Sequence, residues 1–414
     1  MATSPATTQA AIPFFKPSLT DAEEQEVLKT LRSGWLTTGD RVKRFEEEFA
    51  ASVGSRNAVA VNSCTAALHL AVEALGLKAG QGVLVPTMTF AATAEVIRYQ
   101  GAIPILVDCD ATTLNLSLED AILKLECARQ GRLFSGSMDR QIEVVGMIPV
   151  HVGGMMMSIE LLRAFARQEG LWIVEDGAHA FPAAWRRQAH EPWQRCGEGT
   201  ADVSCFSFYA NKTITTGEGG MAVTDDGEMA KRIRMMSLHG LSHDAWNRYS
   251  SGGAWDYKIM APGFKYNMTD IAAAIGIHQL SRAEFMRQER AMIACQYRER
   301  LSAVLELELP PDGSDRVHSW HLYPIKLNLD RLTIDRNRFI EELMQRGIGC
   351  SVHWRPLHLH PYYEQAFGWK SEDLPIATGV WQRLISLPIF PGMNQVEIET
   401  VGSSVAEICR SHAR

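Results

Sequence analysis

Nothing in this sequence is built for a membrane, a nucleic acid or a disulfide framework. No uninterrupted apolar run approaches the roughly 18 residues of a membrane-spanning helix. No block of lysine and arginine stands out, charged residues make up 21%, and the formal net charge is -7. A mildly acidic chain of this kind is a poor partner for nucleic acid or an anionic membrane surface. The eight cysteines (Cys64, Cys109, Cys127, Cys196, Cys205, Cys295, Cys350 and Cys409) form no C-x-x-C pair. They read as reduced thiols, not as a disulfide scaffold or a cysteine zinc site. His353, His358 and His360 are close in sequence, but their spacing suits no common zinc pattern, so no metal is expected. No G-x-G-x-x-G follows the first apolar strand, which speaks against a nicotinamide dinucleotide site. No internal repeat is visible. The opening "MATSPATTQAA" lacks a basic n-region and reads as a flexible tail, not a signal peptide. The expected location is cytoplasmic.

The 414 residues, 46% of them hydrophobic, can fill more than one core. The expected organisation is a tail over 1–11, a large domain over 12–280 and a smaller α+β domain over 281–414. "TDAEEQEVLKTLRS" opens with a capping box at Thr20 and Glu23 and keeps helical spacing. Then short, continuously apolar strands alternate with helices. The strands are "NAVAVNS", "GVLVPT", "AIPILVD", "EVVGMIPV", "LWIVED", "DVSCFSF" and "GGMAVTD". This pattern predicts an α/β fold with a mostly parallel central sheet covered by helices on both faces. In such sheets the site lies at the carboxyl ends of the strands. "ARQGRLFSGSMDRQ", "RRQAHEPWQRCGEG" and "LSHDAWNRYSSGGAWDYK" read as loops, the last an aromatic candidate flap over a substrate. "MTDIAAAIGIHQLSRAEFMRQERAMIACQYRERLSAVL" reads as a long helical stretch capped by Thr269. Beyond it "SWHLYPIKLN" and "IGCSVHW" read as strands, and "DRNRFIEELMQRG" and "VEIETVGSSVAEICRSH" as helices.

The chemistry is written at the strand ends. "CTAAL" follows the first strand, and a helix start there offers free N–H groups and a positive dipole end to a phosphate, with the Thr65 hydroxyl and the Ala66 N–H beside it. Phe90 follows the second strand and could stack on a flat ring. Asp176 ends the strand "LWIVE", where a buried carboxylate needs a cationic partner, and His179 lies three residues on. Ser207 ends "DVSCF", and Lys212 follows five residues later, where desolvation would lower its pKa and free the amine. Taken singly, these are a helix cap, a core aromatic, an N-cap acid and a loop charge. Their shared order at successive strand ends assembles the parts of a pyridoxal 5'-phosphate site. The acid keeps the pyridine nitrogen protonated, and the lysine supplies the nucleophilic amine and moves the proton.

Longer phrases carry a resemblance. "RSGWLTTGDRVKRFEEEFA", "NSCTAALHLAVEALG", "TFAATAEVI", "VEDGAHA", "SFYANKTITTGEGG", "GFKYNMTDIAAAIGIHQL" and "LPIFPGM" resemble the DegT/StrS-type nucleotide-sugar aminotransferases, a branch of the fold type I PLP-dependent enzymes. The resemblance runs from about Ile12 to the C-terminus. It implies that Lys212 bonds the cofactor, Asp176 pairs with the ring nitrogen and His179 lies near the ring's phenolic oxygen. It implies that Phe90 stacks on the ring and that Thr65, Ala66 and Ser207 hold the phosphate. It also implies a homodimer with shared sites, in which Asn267 reaches the neighbouring subunit's phosphate. Cys64 stands where many members have glycine, and a thiol is small enough to fit.

The family's chemistry implies an amino-acid donor, L-glutamate, and a nucleotide-linked keto sugar, aminated at C4, in amino-sugar or surface-polysaccharide synthesis. Candidate substrate contacts are Trp35 and Thr37 in "SGWLTTG", with Arg248, Lys265 and His358, alongside Arg355, as cations for the diphosphate. The alternatives are a sugar dehydratase, disfavoured because such members replace the lysine with histidine, and a non-catalytic PLP-binding regulator.

Overall fold

Two of the apolar segments, Gly82–Pro86 and Ile103–Val107, are buried at every position, as strands covered on both faces must be. The computed structural model describes residues 11–134, 141–241 and 258–414. Along the chain run β1 (Asn57–Val61), β2 (Gly82–Pro86), β3 (Ile103–Val107), β4 (Val144–Met147) and β5 (Trp172–Asp176). The short pair β6 (Ala184–Trp185) and β7 (Gln194–Arg195) follows, then β8 (Val203–Ser207) and β9 (Gly220–Thr224). Among the described residues seven of these form one sheet in the order β1-β9-β8-β5-β4-β2-β3. The pairs from β3 through β8 are parallel, whereas β9 runs antiparallel to both β8 and β1. The sheet is therefore mixed and mostly parallel, with β9 the reversed strand.

Helices α1 (Asp21–Ser33), α2 (Asp40–Val53), α3 (Cys64–Ala74), α4 (Ala92–Tyr99), α5 (Leu118–Arg129), α6 (Ile159–Glu169) and α7 (Gly227–Ser237) connect the strands. Their starts follow the capping chemistry in the sequence. Thr20 and Glu23 form the expected capping box, and Ser63, Ser117, Ser158 and Asp226 accept first-turn N–H bonds. The helical stretch after the sheet is capped by Thr269, as read, but divides into α8 (Asp270–Ser281) and α9 (Ala283–Leu301). The break is at Arg282, whose φ of -106° and ψ of 1° leave the helical region.

The rest of the chain holds β10 (Leu307–Glu308), β11 (Arg316–Val317), β12 (Tyr323–Leu327), α10 (Arg336–Gln345), α11 (Pro361–Phe367), α12 (Pro375–Trp381), β13 (Leu384–Leu387) and α13 (Gln395–Ser411). Strands β10, β12 and β13 make a second sheet. Its core includes Tyr297, Tyr323, Phe339, Ile385 and Val405, separate from the main core under the seven strands. Two sequence readings differ from this. "IGCSVHW" forms no ladder strand; it makes isolated bridges, Ile348 to Ile12 and Ser351 to Ser386. Ile12, expected to open the large domain, packs through that bridge into the second core. Conversely Leu357, Tyr363, Phe367 and Trp369 return from the C-terminal part to the main core. No described helix is long and apolar enough to cross a membrane.

Candidate active site

Asp176 is the last residue of β5 and is nearly fully buried. Its Oδ2 accepts a bond of 2.7 Å from Thr93 Oγ1, and its Oδ1 accepts one of 3.1 Å from the Ala178 N–H. Burial pushes its carboxyl up, and these bonds and the Lys212 amine only partly oppose that. The site therefore holds an acid short of a cationic partner. Lys212 sits in the turn that joins β8 to β9, closed by Phe208 N–H to the Gly219 carbonyl at 2.9 Å. Burial pulls its pKa down to about 8, Asp176 and Cys64 resist, and Arg290 adds to the fall. About one lysine amine in ten is then free at pH 7, against a few in ten thousand for an ordinary lysine.

Strand register places the neighbouring positions. Ser207 pairs with Gly220 across β8 and β9, and Gly220 pairs with Val61 across β9 and β1. Any side chain at Gly220 would collide with the start of α3, because a Cβ there would lie 2.5 Å from the Cys64 nitrogen. The close approach brings Ser207 beside the α3 start that carries Thr65, whose first-turn N–H groups lack partners within the helix. Ala66 is already engaged, since its N–H donates to Ser63 Oγ at 3.1 Å. Phe90 lies one turn before Thr93, the residue that holds Asp176, and is 64% exposed. A lowered lysine, a buried acid without a cation, a bare aromatic ring and a helix start at one edge fit pyridoxal 5'-phosphate.

A second layer was not legible in the sequence. His321, from the segment before β12, brings Nε2 to 3.4 Å from Lys212 Nζ, and its ring lies 4.2 Å from that of His179. Trp354 also stacks on His179, at 5.1 Å and 16°. His179 Nδ1 accepts the Gly153 N–H at 3.2 Å, so a neutral ring carries its proton on Nε2. Burial holds both imidazoles far below their usual range. Gly154, at φ 100°, lets the 318–322 segment approach: a Cβ there would fall 1.7 Å from Ser319 Oγ. Ser319 Oγ in turn donates to the His179 carbonyl at 2.5 Å.

The loop between α1 and α2 carries the exposed Trp35 and Thr37 and is tied to the site's edge. Buried Asp270, at the start of α8, accepts the N–H groups of Gly39 and Val42 at 2.8 and 3.0 Å. Asn267 Nδ2 donates to Thr38 Oγ1 at 2.7 Å, and Lys265 Nζ donates to Asn267 Oδ1 at 2.6 Å. Asn267 also bridges Val61, next to the α3 start. His358 corrects a sequence expectation. It is buried, its Nδ1 and Nε2 each pair at 2.8 Å with Thr87 and Thr378, and burial lowers it to about 4. It is a neutral structural link and not a cation for a diphosphate. Arg355 donates to the Leu359 carbonyl and lies over the Trp381 ring. Arg248 and the aromatic flap fall outside the described residues.

Below the site, on the opposite face of β5, His151, Glu175 and Cys196 bring ligand-type atoms within 4.8 Å of one another. They are already satisfied without an ion. Glu175 accepts from His151 Nε2 at 3.2 Å, Ser204 Oγ at 2.6 Å and Thr200 Oγ1 at 2.5 Å, while His151 Nδ1 takes the Met157 N–H.

Comparison with known proteins shows the family. The model of the DegT/DnrJ/EryC1/StrS aminotransferase family matches residues 17–406. Uncharacterized protein MJ1066 of Methanocaldococcus jannaschii is 43% identical over 401 residues, covering 97% of this chain and 98% of that one. The spore coat polysaccharide biosynthesis protein SpsC of Bacillus subtilis is 41% identical over 400 residues, covering 96% and 97%. Among solved structures, the putative sugar aminotransferase Spr1654 of Streptococcus pneumoniae in its PMP form superposes with a TM-score of 0.85 at 30% identity, covering 97% and 98%. Its PLP form gives a TM-score of 0.84.

Proposed function

The chain belongs to the DegT/DnrJ/EryC1/StrS aminotransferase family and is a PLP-dependent sugar aminotransferase, and on that premise we propose that it moves an amino group from L-glutamate to C4 of a nucleotide-linked keto sugar. The product would serve amino-sugar or surface-polysaccharide synthesis in the cytoplasm. The observation that carries the reading is the Lys212 amine, lowered to about 8 by burial and set at the same sheet edge as a buried, under-paired Asp176.

Bound pyridoxal 5'-phosphate supplies an aldehyde that takes up an amine and a conjugated ring that withdraws electrons. The chain's own residues do the rest. Lys212, its amine lowered to about 8 by burial, would be the amine that bonds the aldehyde, and its Nζ would be the group that moves the proton. Asp176, held by Thr93 and the Ala178 N–H, would pair as a carboxylate with a protonated ring nitrogen. His179 presents Nε2–H, because the Gly153 N–H occupies Nδ1. Ser207, Thr65 and the α3 start receive the phosphate, and Phe90 covers one face of the ring. Trp35, Thr37 and Lys265 line the sugar side, and a second copy of the chain completes the site, with Asn267 reaching across.

The test is a panel of nucleotide-linked keto sugars with L-glutamate and other amino acids as donors, read by mass spectrometry. The expected product replaces a keto oxygen at C4 with an amino group and consumes glutamate. Deoxygenation without net amino transfer would establish the dehydratase reading. Failure of glutamate to convert the bound cofactor to its amine form would support a non-catalytic role.

A further inference from the structure

One buried cation near the site has no anion. Arg290, on α9, is 2% exposed and forms no ion pair with any described carboxylate. A guanidinium taken out of water at that depth is costly unless its donors are used. They are used in an unusual way. Nη1 donates to three carbonyls, Ile389 at 2.7 Å, Trp320 at 3.2 Å and His321 at 3.4 Å, while Nε is buried without a partner. Two of those carbonyls belong to the residue whose imidazole meets Lys212 and to the residue before it.

The chain there needs holding. Trp320 has a φ of 51°, a left-handed conformation that a bulky aromatic rarely adopts. Its N–H turns back to His318 Nδ1 at 2.8 Å, and their rings stack at 3.9 Å. One side of this turn is seated on Gly154 and the His179 carbonyl through Ser319. Arg290 grips the other side. The His321 ring is thereby fixed between the His179 ring and Lys212 Nζ, and its own Nδ1 is buried without a partner.

We infer that Arg290 is a positioning residue for catalysis: it clamps the Trp320–His321 turn so that His321 stands against Lys212. The inference rests on Lys212 being the reactive amine. The groups facing Lys212 are Asp176 on β5, Cys64 at the start of α3, the imidazoles of His321, His179 and His353, and Arg290 on α9. Asp176 and Cys64 favour the charged lysine, while burial and Arg290 disfavour it. Burial is the larger of these two, so removing the Arg290 charge raises the pH at which the amine becomes free only in part.

The test uses the full-length chain with Arg290→Gln, which removes the charge, and Arg290→Lys, which keeps it. Reductive methylation with formaldehyde and cyanoborohydride, followed at the Lys212 peptide by mass spectrometry across pH, reports the free amine without the cofactor. Arg290→Gln is expected to shift the midpoint upward, leaving less free amine at pH 7 than in the parent, and to change the His321 imidazole resonance. Arg290→Lys should restore that midpoint yet change the His321 imidazole resonance, assigned with His321→Gln, because an ammonium lacks the planar fork. If the midpoint and the His321 resonance are both unchanged in both variants, the inference is overturned. A fall in thermal stability alone, with those two signals unmoved, overturns it equally. Should Arg290→Gln not fold, the His321 resonance in Arg290→Lys decides by itself. Borohydride trapping of the cofactor on Lys212 in the unaltered chain checks the underlying reading separately. Its absence there would sink the lysine assignment, whatever the Arg290 variants do.

Discussion

Two adjacent carboxylates at the end of β5 show how differently the two faces of one strand are used. Side chains alternate across a strand, so Glu175 and Asp176 face opposite sides of the sheet. Both are buried. Burial pushes the Glu175 carboxyl up, but bonds from His151, Ser204 and Thr200 outweigh it and hold the group below its usual range. Asp176 has only Thr93 and one backbone N–H, and burial wins, so its carboxyl is raised. Glu175 is a finished network. Asp176 is unfinished and faces a lysine whose charge burial has weakened. A buried group whose bonding is complete is read as scaffold, and one left short of a partner marks where a ligand is expected.

The comparison can be broken at several points. The largest effect is expected on the Asp176 face at Lys212 itself. Lys212→Ala should abolish turnover and the visible absorbance of lysine-bound cofactor while leaving the thermal midpoint close to that of the parent. A variant that kept the absorbance would defeat the assignment. Next, Asp176→Asn should lower kcat by about a hundredfold or more, through loss of charge at the ring nitrogen, with stability changed by less than about 1 kcal/mol. Chemical denaturation alongside steady-state kinetics would check both halves. On the opposite face the signs exchange. Glu175→Gln places an amide donor against two hydroxyls and an imidazole N–H, and should cost about 1–3 kcal/mol of stability. Its kcat, corrected for folded protein, should stay within a few-fold of the parent. A hundredfold loss of kcat in Glu175→Gln would erase the distinction between the faces.

A pH dependence is spread over the fold and belongs to neither face of β5 alone. Burial depresses His318 to about 3 and His353 and His358 to about 4. In the unfolded chain these rings take a proton near pH 6.5, so below that pH the unfolded state binds more protons. Stability is complete above about pH 6.5 and is lost as pH falls toward 4, by up to about 1.4 kcal/mol per unit for each ring. Urea midpoints from pH 7.5 to pH 5 would measure it. The free Lys212 amine behaves oppositely, and in the cofactor-free chain its reductive methylation should rise with pH through about 8.

The legible part of the molecule was local. Continuous apolar runs announced the strands, and Thr20 and Thr269 announced the helix starts they cap. Lys212, Asp176 and Ser207 could be picked out because each polar residue interrupts or ends an apolar strand. "IGCSVHW" misled because its apolar run resembles a strand, whereas its backbone finds only single bridges. His358 misled because nothing near it in sequence announces the two hydroxyls, of Thr87 and Thr378, that its ring meets in space.

By itself the sequence determined the alternation of strands and helices, the places where helices begin and the kind of chemistry at the strand ends, since these depend on residues a few positions apart. Only the tertiary structure decided which groups complete the site. Thr93 reaches Asp176 across 83 positions and His321 reaches Lys212 across 109, while Arg290 holds the His321 carbonyl from another helix. The physical reason is desolvation. The state of Lys212 and the difference between Glu175 and Asp176 depend on what surrounds each group after packing has removed water, and those surroundings come from distant parts of the chain.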